Sequence, residues 1–495
     1  MGFTSLDYLI VVLYLVGIAV FGVLSGGKQK TTRDYFLGSK EIPWWAVCFA
    51  IVATETSALT FISIPGLAYA SNLNFFQLTI GYLLGRIVVS FLFLPSYFKG
   101  ELSTAYAFLS QRFGGKTRNV AALLFMVTRT LADGVRLYAT AIPLAILLRG
   151  SSALAGASLQ EIYIIAILVM AVITLIYTFI GGMRAVIWTD VVQMFIYLGG
   201  AIAAIVVLLG KLPDGLSSIV TGEVGSKVKI FYGGYERSFG DFFQTPYTLI
   251  ASVLGGTFLS MASHGTDQLI VQRLLTTKSL RDSQKALITS ALIVMAQFFL
   301  FLMIGIFLYV FYHGAAMRSD EVFPKFIIEQ MPTGISGLII AGLLAAAMST
   351  LSGSINSLAS SATLDFYKQY QGKDSSEETQ MRISRLFSIG WGVLLVGAAI
   401  FFMNTPRAVV ELGLSIASFT YGALLGTFLL GIISKKATQP AALWGFAAGL
   451  LTMVAVGKFM NIAWTWYTLV GSGATVFIGM VVSSLYSKAA EGERA

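Results

Sequence analysis

The chain has 495 residues, of which 56% are hydrophobic and only 12% are charged. Because an ordinary soluble domain has about 25% charged residues, this composition excludes a water-soluble protein. In a membrane protein, the formal net charge of +9 indicates Lys and Arg in cytoplasmic loops, so we expect no nucleic-acid binding.

Apolar runs long enough to cross about 30 Å of hydrocarbon recur along the chain. We predict thirteen transmembrane helices in an all-α polytopic membrane protein, with residues 1–495 forming a single transmembrane domain. The predicted spans lie near residues 5–26, 44–70, 74–98, 119–148, 160–182, 186–210, 245–272, 284–312, 335–366, 383–403, 408–434, 440–460 and 464–486.

Two spans carry small and polar residues that predict interrupted helices. The second contains the sequence ATETS at residues 53–57, and the seventh contains GGT at residues 255–257, followed by Ser260, Ser263 and His264. An interrupted helix can line a mid-membrane cavity with free backbone carbonyls and amides. We therefore predict a break at each of these places.

The two breaks divide the chain into blocks of five spans each. A leading helix at 5–26 is followed by blocks at 44–210 and 245–434 and by two trailing helices at 440–486. An odd number of spans forces the second block to be inverted relative to the first. This 1+5+5+2 order predicts the leucine-transporter-like arrangement, in which the first helix of each repeat is discontinuous.

Loop charges predict the orientation. The basic loops alternate with less basic ones, and they contain Lys28, Lys30, Arg33 and Lys40, then Arg112, Lys116 and Arg118, then Arg273, Lys278, Arg281 and Lys285, and further on Arg382, Arg385, Lys435 and Lys436. The positive-inside rule places these loops in the cytoplasm. We therefore expect an outside N-terminus and a cytoplasmic C-terminus.

The chain has no N-glycosylation sequon, which favours a bacterial inner membrane. We also expect a monomer.

The ninth span is unusually polar. Nine of the fifteen residues 349–363 carry a hydroxyl or an amide. Small polar residues pack transmembrane helices and form hydrogen bonds between them, whereas hydroxyl and carbonyl oxygens also suit an alkali cation. The pattern alone leaves both interpretations open.

Five ordered motifs resemble the sodium:solute symporter family. Residues 181–193 read GGMRAVIWTDVVQ and are similar to the family signature GG-x-x-AV-x-WTD-x-x-Q. The other matching segments are 57–66, 266–273, 345–367 and 421–426. The resemblance implies a symporter that couples sodium entry to solute uptake, with sodium, the solute and the bilayer as its partners. Members of the family carry sugars, sugar acids, proline, monocarboxylates, vitamins or iodide.

The resemblance also implies ligands for a main sodium site. By motif these are the backbone carbonyls of Ala53, Thr56 and Ala346 and the hydroxyls of Ser349 and Thr350. All five residue types can supply the oxygen that is needed.

Some family members, notably the sialic acid symporters, have a second sodium site. Asp190, Ser349 and Ser352 match its ligands here, but Gly353 stands where the pattern has a last serine. We therefore expect at most a weak second site. Asp190 either binds an ion or anchors a hydrogen-bond network between helices.

The resemblance places Ser57, Thr60, Phe75 and Thr79 at substrate-cavity positions. Glu55 stands where the proline symporters have an acidic residue, and it could reach substrate hydroxyls, act through the nearby cation, or cap the free amides of the broken helix. The arginine that grips sialic acid in the family aligns with Ala132, so a sugar, a sugar acid or another carboxylate all remain open.

Arg129 and Asp133 are spaced i, i+4 and are expected to neutralise each other. Arg136 could share Asp133 or meet a substrate carboxylate, and it is a candidate substrate-binding residue. Arg86 is expected to be structural or to snorkel towards the interface.

We predict a sodium-coupled secondary symporter that imports a small polar organic solute by alternating access. The alternative is a proton-coupled or sodium-independent carrier on the same fold, with Glu55 as the titrating group. A membrane-embedded enzyme is a remote alternative, because His264 has no matching arrangement of Asp or Cys around it in the sequence. We therefore expect no enzymatic activity.

Overall fold

A computed structural model describes residues 4–100, 102–149, 156–212, 223–370, 375–403 and 409–492. Within these ranges the chain is helical, and the β-structure is limited to an isolated bridge between Ile42 and Thr277. The first part forms α1 (Ser5–Ser25), α2 (Thr32–Leu37), α3 (Trp44–Glu55), α4 (Ala58–Ala70), α5 (Phe76–Val88), α6 (Leu94–Lys99), α7 (Ala105–Phe113), α8 (Gly115–Arg149) and α9 (Leu159–Lys211). A π-helical segment, Val89–Phe93, joins α5 to α6.

The second part of the chain, which begins with a six-residue helix, is also helical. It forms α10 (Phe239–Gln244), α11 (Leu249–Gly265), α12 (Gln268–Leu274), α13 (Leu280–Phe311), α14 (Ser319–Gln330), α15 (Ile335–Ser361), α16 (Glu377–Phe402), α17 (Val409–Ile433), α18 (Gln439–Phe459) and α19 (Tyr467–Gly492). After α15 the chain continues through the π-helical segment Ala362–Tyr367. The predicted start of the eleventh span, residue 408, lies outside the described residues.

Among the described residues, eight helices are long and apolar enough to cross a membrane, and the bent pair α3 and α4 makes a ninth. The prediction of an all-helical polytopic membrane protein is therefore confirmed. Charged side chains lower the apolar character of α8, and α11 has 17 residues. The count of thirteen spans and the inverted repeats stay predictions.

The longest helix, α9, has a break that divides it. Its 53 residues would measure about 80 Å if straight, far more than one bilayer crossing needs. Gly182 adopts φ 55° and ψ −152°, which favours glycine, and a Cβ there would lie 2.5 Å from the Tyr35 carbonyl oxygen. Each resulting segment is long enough to form one of the two spans predicted at 160–182 and 186–210.

The first predicted break is confirmed. Helices α3 and α4 are bent by 64° at Thr56 and Ser57. The Ser57 hydroxyl caps α4 by accepting from the Thr60 N–H at 3.4 Å, which satisfies one of the amides that the break frees. Ser57 thus provides the cap that was one interpretation of Glu55.

The second predicted break lies at a different place, so the prediction at residues 255–257 is wrong. Helix α11 runs through these residues, and the chain breaks at Thr266 and Asp267 before α12. The glycine pair serves close packing instead, because a Cβ on Gly255 would lie 2.3 Å from the Thr465 carbonyl oxygen, and one on Gly256 would lie 2.7 Å from that of Leu78. The Asp267 carboxylate caps α12 by accepting from the Leu269 N–H at 2.9 Å.

Helix α15 lies at the centre of the molecule. Nearly every residue from Ile339 to Ser361 is buried, and α15 packs against α1, α8, α9 and α16. By contrast, large apolar side chains on the outer helices are exposed, with Leu24 of α1 76% and Phe401 of α16 76% exposed. Such an apolar outer surface suits a lipid environment, and polar groups on α15 face protein.

Candidate functional site

The end of α3 carries a buried charge cluster. The Glu55 carboxylate, at the residue before the break, forms an ion pair with the Arg86 guanidinium of α5. The Nε2 atom of His264, on α11, lies 3.7 Å from the same carboxylate. Arg86 also donates to the Ser290 hydroxyl of α13 at 2.6 Å. The cluster therefore connects four helices at the level of the break.

The Arg86 side chain is fully buried, whereas that of Glu55 is 17% exposed. Of the two roles expected for Arg86, its burial therefore excludes snorkelling, and its contacts with Glu55 and Ser290 fit a structural role. Its burial follows from its partner, because a charge at membrane depth is tolerated when an opposite charge meets it. Glu55 keeps a small accessible surface beside the break.

Three of the predicted substrate residues lie close to the break or to α5. Ser57 and Thr60 have their hydroxyl oxygens 3.3 Å apart on the first turn of α4. Phe75 packs its ring against Tyr247 and Phe298, with centroids 5.3 and 5.5 Å away.

Thr79 is fully buried. Its hydroxyl donates to the Phe76 carbonyl oxygen at 2.7 Å, so the hydroxyl proton is already used in a hydrogen bond at the start of α5. A role for Thr79 at the substrate cavity stays a prediction.

The five predicted ligands of the main sodium site are buried on two helices that pack against each other. Ala53 and Thr56 lie at the end of α3, and Ala346, Ser349 and Thr350 lie on α15. The Thr350 hydroxyl donates to the Ala346 carbonyl oxygen at 3.2 Å.

Thr56 is tied into a second set of hydrogen bonds. Its hydroxyl accepts from the Gln297 side-chain amide and from the Tyr197 hydroxyl, the latter at 3.3 Å. Tyr197 also donates to Gln297 at 3.1 Å. These contacts hold the broken end of α3 against α9 and α13.

Asp190 joins the two helices that carry the predicted sodium ligands. Its carboxylate accepts from the Ser349 hydroxyl of α15 at 2.7 Å and from the Thr54 hydroxyl of α3 at 3.4 Å. The Arg273 guanidinium of α12 lies 2.9 Å from the same carboxylate, and both side chains are fully buried. Asp190 thus anchors an interhelical network, one of the two roles that the sequence left open.

Arg273 also occupies the space beside Gly353. A Cβ on Gly353 would lie 2.6 and 3.0 Å from the two terminal guanidinium nitrogens. The Ser352 hydroxyl donates to the Ser349 carbonyl oxygen of its own helix at 3.0 Å. Where the second-site pattern has a serine, this protein therefore has a glycine and a positively charged group.

Arg136 belongs to a separate buried cluster on α8. It lies 3.1 Å from the Asp133 carboxylate, which also accepts from the Ser354 hydroxyl of α15. Arg129 lies 3.4 Å from the same Asp133, which confirms that pair, and forms a further ion pair with Asp267. The side chain of Arg136 is 27% exposed.

Sequence reasoning did not pair Glu55 with Arg86 or Asp190 with Arg273. The available signal was the balance of buried charges, since each carboxylate in a span needs a cation nearby. The partners are 31 and 83 residues apart, so helical spacing could not identify them. The predicted seventh span ends at residue 272 and leaves Arg273 in a loop, whereas α12 extends to Leu274.

Comparison with known proteins identifies the family. The model of the sodium:solute symporter family matches residues 35–449. The sodium/sialic acid symporter SiaT of Proteus mirabilis (strain HI4320) is 29% identical over 98% of this chain and 96% of its own. The human sodium-coupled monocarboxylate transporter 1 is 28% identical over 92% of this chain and 73% of its own.

A solved structure of a Na⁺-coupled sialic acid symporter, in a substrate-bound outward-open state, superposes with a TM-score of 0.86 at 29% identity, covering 97% of this chain and 98% of the other. The chain belongs to the sodium:solute symporter family. It is a multi-pass membrane transporter with sodium as its coupling ion, so these two sequence predictions are confirmed.

Proposed function

We propose that this symporter imports a small polar organic solute by alternating access around the α3–α4 break. One observation carries the proposal: a single carboxylate, that of Asp190, contacts both α3 and α15 beside the predicted sodium ligands. A cation between the break and α15 would hold these helices together. The proposed architecture is thirteen spans in the 1+5+5+2 arrangement, with the break of each repeat at residues 56–57 and 266–267.

Sodium at Ala53, Thr56, Ala346, Ser349 and Thr350 would act on the solute cavity through the break. Fixing α3 against α15 orders the start of α4, where Ser57 and Thr60 lie, so that the solute binds to a preformed surface. Linkage makes the effect reciprocal, and bound solute raises the affinity for sodium. At an inward-negative potential, each sodium ion that enters contributes about 2.3 kcal/mol per 100 mV, which drives accumulation.

We infer one coupling sodium ion per solute. Asp190 is already neutralised by Arg273, and Gly353 offers no side-chain oxygen. A second cation would have to approach the guanidinium. Reversal potentials of reconstituted vesicles should give one charge per neutral solute, and a ratio of two would contradict this assignment.

The solute class follows from the cavity residues and remains broad. Glu55, Ser57 and Thr60 supply hydrogen-bonding oxygens, and Phe75 supplies an aromatic surface. Thr79 and Arg136 are further candidates. A sugar, a sugar acid such as sialic acid, or another carboxylate would fit these groups, and the named relatives include symporters for both sialic acid and monocarboxylates.

Uptake by reconstituted vesicles tests the proposal. A thermal-shift screen of sugars, sugar acids and monocarboxylates, with and without sodium, first identifies the solute. Uptake should then require an inward sodium gradient and should stop in potassium or choline. Uptake that follows an inward proton gradient without sodium would instead support the alternative, in which Glu55 titrates.

We further propose a bacterial inner-membrane location, an outside N-terminus, a cytoplasmic C-terminus and a monomeric state. The first three proposals rest on the basic loops and the absence of a sequon. No step of the proposed cycle makes or breaks a covalent bond, in keeping with relatives that are transporters.

A further inference from the structure

A cleft of about 580 Å³ is lined by residues other than those of the predicted sodium and solute sites. It is formed by the segment after α1, the part of α9 just before Gly182 and the first turns of α16. We call it the α16 cleft. It lies beside the loop with Lys28, Lys30 and Arg33, which is predicted to be cytoplasmic.

Three cationic side chains line the α16 cleft, together with one carboxylate. The cations are Lys30, Arg382 and Arg385, and the carboxylate is Glu378. In the part of the chain that the structure describes, no carboxylate lies within ion-pair distance of any of the three cations. Among the described residues, the cleft therefore has an excess of positive charge.

Arg385 is the most informative of these residues. Its Nε atom is buried and has no hydrogen-bond partner among the described residues. Its guanidinium lies over the Phe179 ring, 5.7 Å from the centroid, and this contact fixes the group in the wall of the cleft.

One side of the cleft opens onto apolar surface. Leu386 and Ile389 line it and are 53% and 39% exposed, and Val393, one turn further along α16, is 64% exposed. Residues three and four apart share a helix face, so an apolar stripe leads directly away from the cationic end. A soluble anion would make no use of this stripe.

We propose that the α16 cleft binds an anionic phospholipid. The phosphate would lie between Arg382 and Arg385, with Lys30 at the entrance, and an acyl chain would follow Leu386 and Ile389. Basic pockets between transmembrane helices on the cytoplasmic side suit lipid headgroups for this reason. Glu378 can accept hydrogen bonds from headgroup hydroxyls, which favours a glycerol headgroup.

Purified full-length protein in a neutral detergent allows a direct test. Native mass spectrometry and thermal unfolding would be measured with dioleoylphosphatidylglycerol, dioleoylphosphatidylcholine, glycerol phosphate and inorganic phosphate. We expect phosphatidylglycerol alone to remain bound and to raise the unfolding temperature. The double variant Arg382→Gln/Arg385→Gln should bind it about 25- to 30-fold more weakly, since each charge near a lipid surface contributes about fivefold.

The matched control is Lys435→Gln/Lys436→Gln, which removes two exposed charges from another loop predicted to be cytoplasmic and should bind the lipid like the wild type. The single variant Lys30→Gln removes one exposed charge and should weaken binding about fivefold, which keeps the test informative if the arginine variant does not fold. Unchanged affinity in the arginine variant would overturn the proposal. Equal binding of phosphatidylcholine, or of either soluble phosphate, would also overturn it.

Discussion

Glu55 and Arg86 hold opposite charges in a place that water barely reaches. A buried ion pair adds little when it replaces apolar packing, but removal of one partner leaves an unpaired buried charge that costs about 3–5 kcal/mol. The pair also explains how a carboxylate can lie beside a helix break in the interior of the protein. Each of the two buried charges is therefore stabilised only while its partner is present.

Arg86→Gln and Glu55→Gln should each lower the stability of the purified protein by about 3 kcal/mol, because each leaves the other charge unpaired. The double variant Glu55→Gln/Arg86→Gln should be less destabilised than the sum of the two single variants. Thermal or denaturant unfolding in detergent measures all three proteins. Additive effects would show that the two side chains are not coupled.

The same variants separate the roles of Glu55. If Glu55 acts on sodium or solute as well as on Arg86, sodium titrations of Glu55→Gln should show weaker sodium affinity and weaker solute affinity together. Unchanged affinities in a folded Glu55→Gln protein would leave the carboxylate with a structural role only.

Gly353 provides the space that the Arg273 guanidinium fills. Gly353→Ser should destabilise the protein by about 1–3 kcal/mol, because the new side chain would overlap Arg273 and Leu269 in a packed interior. Gly390→Ser on α16 is the matched control, since a Cβ there meets no atom within 4 Å. Equal unfolding temperatures for the two variants would show that Arg273 does not need this space.

At the scale of helices, the α3–α4 break and α15 form the unit on which sodium is proposed to act. Ser349→Ala should raise the sodium concentration for half-maximal uptake by about tenfold, because a lost oxygen ligand is not easily replaced in a water-poor site. Ser357→Ala, a buried serine on the same helix whose hydroxyl donates to the Ser354 carbonyl oxygen, is the control. A similar shift in both variants would indicate a general effect on α15.

The predictability of the two breaks differs for a physical reason. Residues 53–57 combine polar side chains with a serine that can cap the next helix, so sequence and structure agree there. At residues 255–257 glycines suggest a break, but they permit the close approach of α5 and of the segment around Thr465. Glycine occurs both where a helix breaks and where two helices pack closely. The sequence alone does not distinguish these two roles, because they differ in the position of the neighbouring helices.

At the scale of the whole molecule, composition alone indicates the membrane class, and ordered motifs indicate the family. The pairing of Arg86 with Glu55 and of Arg273 with Asp190 depends on how distant helices meet, which no local pattern contains. The sequence therefore predicts the broken helix and the polar face of α15, but it does not identify the cations that balance their carboxylates.

The orientation of the whole chain can be tested with its single cysteine. Because Cys48 is the single cysteine of the chain, a Cys48→Ser protein provides a background without thiols. In this background, Tyr235→Cys lies in the segment between α9 and α11 at a position that is 73% exposed, and Lys278→Cys lies in an exposed basic loop after α12. The positive-inside rule places the first outside and the second in the cytoplasm. A membrane-impermeant maleimide should label Tyr235→Cys in intact cells and Lys278→Cys only in inverted vesicles. The opposite pattern would reverse the assignment of the termini and move the α16 cleft to the outer leaflet.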